Sequence, residues 1–541
     1  MQPLHLVPTV FLLIVATGCS GDPSPAKAAP DSPTGDDTAP PPFDPTTDCE
    51  TLGMPSVPFV EATASPLLYD VAGDITLETT DGPWTLSANW SGCDVYLFVS
   101  DEPAQNQGAP DPTWGTKKDN KALIDAMPMN THVFFLSSQN DENRLIALED
   151  LKNHIDAQLD DYDEETRAWK ERHIHYVTDK DKQADSWLGE TFDSPGWGVG
   201  IDRTQRIRYI GSMGDPDRYN SSYGWFEPNL SMIANEARYY NFEALRETRL
   251  DAQGATLVPT WTGETISGTV YVDFELPDAA TMATFDSMEW DMTMLCVGDG
   301  EYTECPSWDY LTYAWLCDVE DPETCTQEVG RWITTYHREG RWVHDVSPLL
   351  ALLKDGGSRR LAFYSQNTYE MTLTLRLFNQ GGTDTPDEAQ VLYTGGYISS
   401  TWNEREPLTV DIPADVSRVG LGVVMSGHGQ TGTPACMEFC GSEHNFTVNG
   451  HDNLFTYAIE DSTFGCMNQV DEGTVPNQYG TWWYGRNGWC PGKQVDMDVV
   501  DISDQVLLGE TNTFNYEIAN LNGTLDGGGD IVLTTWLVYY R

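Results

Sequence analysis

Three short stretches place an acid or an arginine within a few residues of a cysteine: Cys305-Pro306-Ser307-Trp308-Asp309-Tyr310, Cys436-Met437-Glu438-Phe439-Cys440 and Arg486-Asn487-Gly488-Trp489-Cys490. A cysteine that closes a covalent bridge restricts its neighbours, so Asp309, Glu438 and Arg486 are candidates for charged groups held in one geometry. A fixed carboxylate can take a proton from water as that water attacks an amide carbon. A guanidinium beside it keeps a carboxylate ionised and binds developing negative charge. Trp482, Trp483, Tyr484 and Trp489 crowd the same region. Such rings stack on pyranose faces, although sandwich cores also absorb aromatics.

Those residues need an exported, stapled scaffold. The apolar run Val7–Ala16 ends in Ala16-Thr17-Gly18-Cys19, the pattern of a signal peptide (1–18) closing on a lipobox with Cys19 acylated. The first residues carry no Lys or Arg, and Ala16 stands where Leu is usual, so plain secretion is the alternative. With Cys19 set aside from the 11 cysteines, an even number remains, which favours disulfides in an oxidising compartment. Local spacings suggest Cys296–Cys305, Cys317–Cys325, Cys436–Cys440 and Cys466–Cys490, leaving Cys49 for Cys93. Spacing does not settle connectivity, and zinc ligation by Cys436, Cys440 and the later cysteines is the rival.

Residues 19–48 hold Pro, Ala, Asp, Ser and Thr with almost no large apolar side chain, and are expected to form a disordered tether. The 84 acidic and 30 basic residues give a net charge of −54, a surface that repels nucleic acid and anionic membrane. A lipid anchor is the only membrane attachment expected, and the location is the cell envelope, as an outer-membrane lipoprotein, or outside the cell.

From Asp94 to about Asn241 strand and helix alternate. Strands are expected at Asp94–Val99, Val133–Leu136 and Ile174–Val177, with helices over Asp119–Ala126 and around Leu148, Leu151, Ile155 and Leu159. A hairpin over Gly198–Ile210 and a helix from Leu230 to Tyr240 complete the order, which is similar to a thioredoxin-like domain (49–254). No Cys-x-x-Cys is present, so a spacer or docking role is expected rather than a redox one. His173 and His175 form a His-x-His on an expected strand, where alternate side chains share a face for packing. Beyond Ala255, period-2 segments such as Gly268–Phe274, Met371–Leu377, Leu408–Ile412 and Ile531–Tyr540 indicate two all-β sandwich units (255–381 and 388–541). The fold class is therefore a multidomain chain, α/β then all-β.

The three cysteine-flanked motifs together resemble those of the bacterial peptide-N-glycosidase F family. Glu328–Tyr336, Val343–Leu350, Ser426–Gly429 and His444–Asn449 fall into the same order. The resemblance covers about Gly263–Arg541 and implies two jelly-roll domains with an active site in the cleft between them. It also argues for the disulfide reading of the cysteines. It implies an amidase that cleaves the bond between glycan and asparagine in N-glycosylated proteins or glycopeptides, acting as a monomer without metal or organic cofactor. Asp309 is then the residue that activates water, Glu438 the second carboxylate and Arg486 its partner. Gln366 stands where the family has a catalytic glutamate, Tyr310 where an arginine follows the aspartate, and His428 where it has tryptophan. Arg486, Trp308, Tyr310, Trp489, His428 and Tyr369 are the expected substrate-binding residues. Two other readings compete: a non-catalytic N-glycan-binding lipoprotein on the same fold, and a copper monooxygenase-like protein using His337, His344, His428, His444 and His451.

Overall fold

The computed structural model describes residues 46–541 except 102–111, 185–186, 193–197, 223, 299, 383–384, 430–436, 457–462 and 521–528. The expected signal peptide, Cys19, all but the last residues of the expected tether, and Cys436 lie outside the described residues. Helix α1 (Thr46–Leu52) begins within the segment expected to be tether.

The first seven strands are β1 (Thr76–Thr79), β2 (Gly82–Thr85), β3 (Val95–Ser100), β4 (Thr131–Ser137), β5 (Ile174–Lys180), β6 (Gly198–Ile201) and β7 (Ile207–Ile210), in the sheet order β2-β1-β5-β4-β3-β6-β7. The β3, β4 and β5 ladders are parallel, and β6 runs antiparallel to β3. Both faces of β3 and β4 are buried along their whole length, which is why they read as unbroken apolar runs. Helices α2 (Asn120–Ala126), α3 (Asp141–Leu159) and α4 (Glu164–His173) begin at Asp119, Asn140 and Asp163, whose side chains accept from main-chain N–H groups of the first turn. Leu148, Leu151, Ile155 and Leu159 form the buried stripe of α3. A short α5 (Trp187–Thr191), the hairpin β8 (Gly214–Asn220) and β9 (Trp225–Pro228), and α6 (Ala234–Gln253) complete this part. The parallel strands around β3, the antiparallel β6 and β7 and the closing helix follow the order of strands and helices expected from the sequence. His173 ends α4 rather than lying on the strand with His175: the helix runs directly into the strand, which begins at Ile174.

The first all-β unit is built on two long partners, β10 (Thr256–Asp278) and β15 (Gly356–Phe378), which pair along nearly their whole length. Between them in sequence come β11 (Ser287–Leu295), β12 (Leu311–Cys317), β13 (Cys325–Ile333) and β14 (Gly340–Asp345). One end of β15 pairs with β12 and the other with β11, so a single long strand serves both ends of the unit. The second unit is a sandwich of two four-stranded sheets. One contains β16 (Pro386–Tyr397), β18 (Arg418–His428), β22 (Asp498–Asp501) and β24 (Asp530–Tyr540); the other contains β17 (Leu408–Asp411), β19 (Ser442–Val448), β20 (His451–Thr456) and β23 (Thr511–Asn520). The remaining strand, β21 (Lys493–Gln494), leaves this unit and pairs with β13 of the first.

Buried arginines fasten these parts together. Arg331 binds Glu328 at 2.7 and 2.8 Å and reaches across to Ser426 Oγ at 3.0 Å and the Val532 carbonyl at 2.7 Å. Arg338 binds Glu236 of α6 at 2.7 Å, Glu301 at 2.8 Å, and the carbonyls of Pro476 and Tyr209 at 2.6 and 2.9 Å. Removing one partner of such a group leaves charge buried without compensation. Arg338→Met should therefore lower stability by about 3–5 kcal/mol in urea denaturation, and a change within experimental error would show that the two glutamates find other partners.

Candidate active site

Asp309 sits on the segment between the Cys296–Cys305 bridge and β12. Its backbone is clamped on both sides by one side chain. The Tyr310 N–H donates to Thr334 Oγ1 at 2.9 Å, and the Thr334 hydroxyl donates to the Trp308 carbonyl at 2.9 Å. Thr334 follows β13, and the β21 residues 493 and 494 hydrogen-bond to the end of that strand. The Gly492 N–H donates to the Ile333 carbonyl at 3.1 Å. At Gly492, φ is +71° and a Cβ would lie 2.8 Å from Thr335 Cγ2 of the first unit, so glycine lets the two units approach this closely. This seam carries the Arg486 loop to the Asp309 segment.

Arg486 is fully buried. Nη1 donates to the carbonyls of Thr481 at 2.7 Å and Tyr484 at 2.8 Å, while Nη2 contacts Thr481 Oγ1 at 3.2 Å and the Tyr336 hydroxyl at 3.3 Å. The Cys466–Cys490 bridge closes the loop, and the guanidinium lies over the rings of Phe439 and Trp489 at 4.7 and 5.3 Å. Against this fixed cation stand both expected carboxylates, Asp309 Oδ2 at 3.5 Å and Glu438 Oε1 at 3.8 Å. Asp309 Oδ2 and Arg486 Nε are buried with no hydrogen-bond partner. The Asn487 N–H holds the Glu438 carbonyl at 2.9 Å, tying the second carboxylate to the same loop.

Burial raises the Asp309 pKa above the ordinary carboxylate value, and Arg486 and the Tyr336 hydroxyl draw it back. Burial likewise raises that of Glu438; Arg486 opposes the rise, and the charge of Asp309 adds to it. His428 is pushed down to about 3 by burial and by the nearby Arg331 and Arg486. It is a neutral ring stacked on Trp489 at 4.8 Å and bonded to Ser426 Oγ at 2.8 Å.

Trp308 is 59 % exposed beside this site, with Tyr336 edge-on at 6.4 Å. Tyr310 is half-buried. Trp489 and Tyr369 are buried, Trp489 donating to the Gly427 carbonyl at 2.7 Å and Tyr369 lying beside Thr334. Gln366 is exposed on an irregular stretch of β15, and no contact joins it to Asp309, Glu438 or Arg486 among the described residues. Four expected disulfides are present: Cys49–Cys93, Cys296–Cys305, Cys317–Cys325 and Cys466–Cys490. Cys440 is disulfide-bonded, and its expected partner Cys436 is outside the described residues. Thr334, Tyr336, Thr481 and Asn487 emerge only from the structure. Thr334 and Tyr336 lie in the Glu328–Tyr336 segment, whose order was legible but whose roles were not. Among the described residues the imidazoles of the β units form no group of three metal-ligating side chains.

Residues 397–538 match the family model described as peptide-N-glycosidase F, C terminal. This region is similar to the C-terminal part of peptide-N-glycosidase F. A curated relative, the peptide-N(4)-(N-acetyl-beta-D-glucosaminyl)asparagine amidase F of Elizabethkingia miricola, is 27 % identical over 122 residues, 21 % of this chain. The match spans about a third of that relative's length, 32 %. A solved peptide-N-glycosidase F, described as a glycosylasparaginase from Flavobacterium meningosepticum, is 17 % identical with a TM-score of 0.45, covering 53 % of this chain and 96 % of its own. A second solved asparagine amidase of the same name is 18 % identical with a TM-score of 0.44 over the same shares.

A carboxyl whose native pKa is raised contributes stability that is complete below its unfolded value and is lost as pH rises through the native one. Ionised Asp309 therefore opposes folding at neutral pH. Asp309→Asn should melt at a higher temperature than the unaltered protein at pH 7, with the gap closing below the ordinary aspartate pKa of about 3.9. A lower melting temperature at pH 7 would mean that attraction to Arg486 outweighs burial.

Proposed function

We propose that this chain is a peptide-N-glycosidase, hydrolysing the amide that joins an N-glycan to asparagine. The observation that carries the reading is the convergence of Asp309 and Glu438, from different β units, on one buried arginine. Asp309 takes a proton from water as the water oxygen attacks the side-chain amide carbon. The carbon–nitrogen bond then breaks, the nitrogen leaves protonated as glycosylamine, and asparagine becomes aspartate. Burial makes Asp309 a stronger base than a free aspartate. Arg486 holds Glu438 beside the reacting centre, where it binds the first sugars, and Trp308 offers an exposed ring for stacking. Neither metal nor organic cofactor enters these steps. The described disulfides fit an extracytoplasmic protein that meets N-glycoproteins outside the cell or at its envelope, held there by a lipid on Cys19.

Gln366 and Tyr310, in place of a family glutamate and arginine, favour one alternative, a glycan-binding protein that does not cleave. Incubation with an N-glycopeptide, read by peptide mass for aspartate, separates the two. Release is expected, and Asp309→Asn should reduce it by about 10²–10⁴-fold. Glycan binding with no release would establish the alternative.

Glu438→Gln and Arg486→Ala should each cut release strongly. Their combined effect should fall short of the sum, since each acts through the other. Additive losses in the double-mutant cycle would separate the two residues functionally.

A further inference from the structure

A second set of buried ligating groups lies in the α/β part, away from the glycosidase chemistry. Asp94 precedes β3, His132 is on β4 and His173 ends α4. All three are buried, and one ligand atom from each lies within 4.8 Å of the others. The outer partner of His173 fixes where its proton lies. His173 Nδ1 is 2.8 Å from the Trp169 carbonyl, which can only accept, so the proton is on Nδ1 and Nε2 carries a lone pair. That Nε2 has no partner, in a residue only 1 % exposed. His132 Nδ1 is bonded to His175 Nε2 at 2.9 Å, and its other nitrogen faces Asp94 Oδ2 at 3.4 Å. Asp94 is itself held by its N–H to Ser91 Oγ at 3.0 Å and by the adjacent Cys49–Cys93 bridge.

The His173 Nε2 lone pair is buried with no donor beside the Asp94 carboxylate, whose side-chain partners are His132 and Ser91, and a cation placed between them satisfies that nitrogen and binds the carboxylate. We propose that Asp94, His132 and His173 form a site for a divalent cation of the zinc type, ligated by the two Nε2 atoms and one carboxylate oxygen. Tetrahedral ligation at about 2.1 Å needs ligand atoms about 3.4 Å apart, which is the His132–Asp94 spacing already present. The His173 atom lies within 4.8 Å of the other two and has to move closer to complete the set. Main-chain and imidazole acceptors behind the ligands are the outer partners that metal-binding histidines use. The two-imidazole, one-carboxylate donor set favours zinc, cobalt or nickel over calcium or cuprous ion. Such an ion ties the end of α4 to β3 and β4, so its binding energy stabilises the α/β part. The buried Arg203 guanidinium, which feels the Asp94 charge, is the competing cation.

The full-length protein, stripped with a chelator and dialysed, is titrated with Zn²⁺ by calorimetry and with Co²⁺ by visible absorption. One ion per chain, a four-coordinate Co²⁺ band and a higher melting temperature are expected. His173→Phe and Asp94→Asn should each weaken binding by about 100-fold or more. X-ray absorption of the zinc-loaded unaltered protein should show two imidazoles in the first shell, a readout that does not depend on the variants folding. No bound zinc, a shell without paired imidazoles, or affinity unchanged in both variants would overturn the site. Glycan release is expected to be equal with and without the ion, so failure here and failure of the glycosidase reading are distinguishable.

Discussion

The site depends on an arginine that cannot move. Arg486 is fully buried, with carbonyl and hydroxyl oxygens from 481, 484 and 336 holding its fork and two aromatic rings lying over it. A cation in such a place is costly unless its donors are taken up. Here most are, and Nε, with no hydrogen-bond partner, stands within ion-pair distance of Glu438. Two carboxylates that would otherwise repel each other are held on that one charge.

Everything else in the β units bears on that contact. The β21 ladder joins the Arg486 loop to β13 and so to Thr334, which holds the main chain on both sides of Asp309. Arg331 locks the two units beside this seam, and Arg338 locks the α/β part onto the same region through Glu236, Tyr209 and Pro476. The chain has 30 basic residues against 84 acidic ones, and these three arginines are all buried at junctions. In a strongly acidic protein, positive charge in the interior also sets the local potential: it draws the Asp309 and Glu438 carboxyls down against burial and keeps His428 neutral.

Local pattern determined much of this protein by itself. Period-2 alternation marked β10 and β15, the buried apolar runs marked β3 and β4, and the 3.6-residue stripe marked α3, because each reflects how a single element meets its core. Local cysteine spacing reached three of the described bridges, since partners close in sequence have few alternatives, and Cys49–Cys93 followed as the pair left over. Asp309, Glu438 and Arg486 were legible as a set because their motifs carry cysteines and aromatics at recognisable spacing.

What only the tertiary structure decided is which side chains meet across long stretches of chain. Thr334 is an ordinary threonine after a strand until it spans Trp308 and Tyr310. Tyr336 and Thr481 matter because they face Arg486, and Gln366, which sequence order placed among the catalytic residues, lies exposed on an irregular part of β15. The histidines divide in the same way: spacing joined His173 to His175, but the helix end turned His173 toward Asp94 and His132 instead. Periodicity encodes the face an element buries; which residues of distant segments then touch is set by register, crossing and the close approach that Gly492 permits.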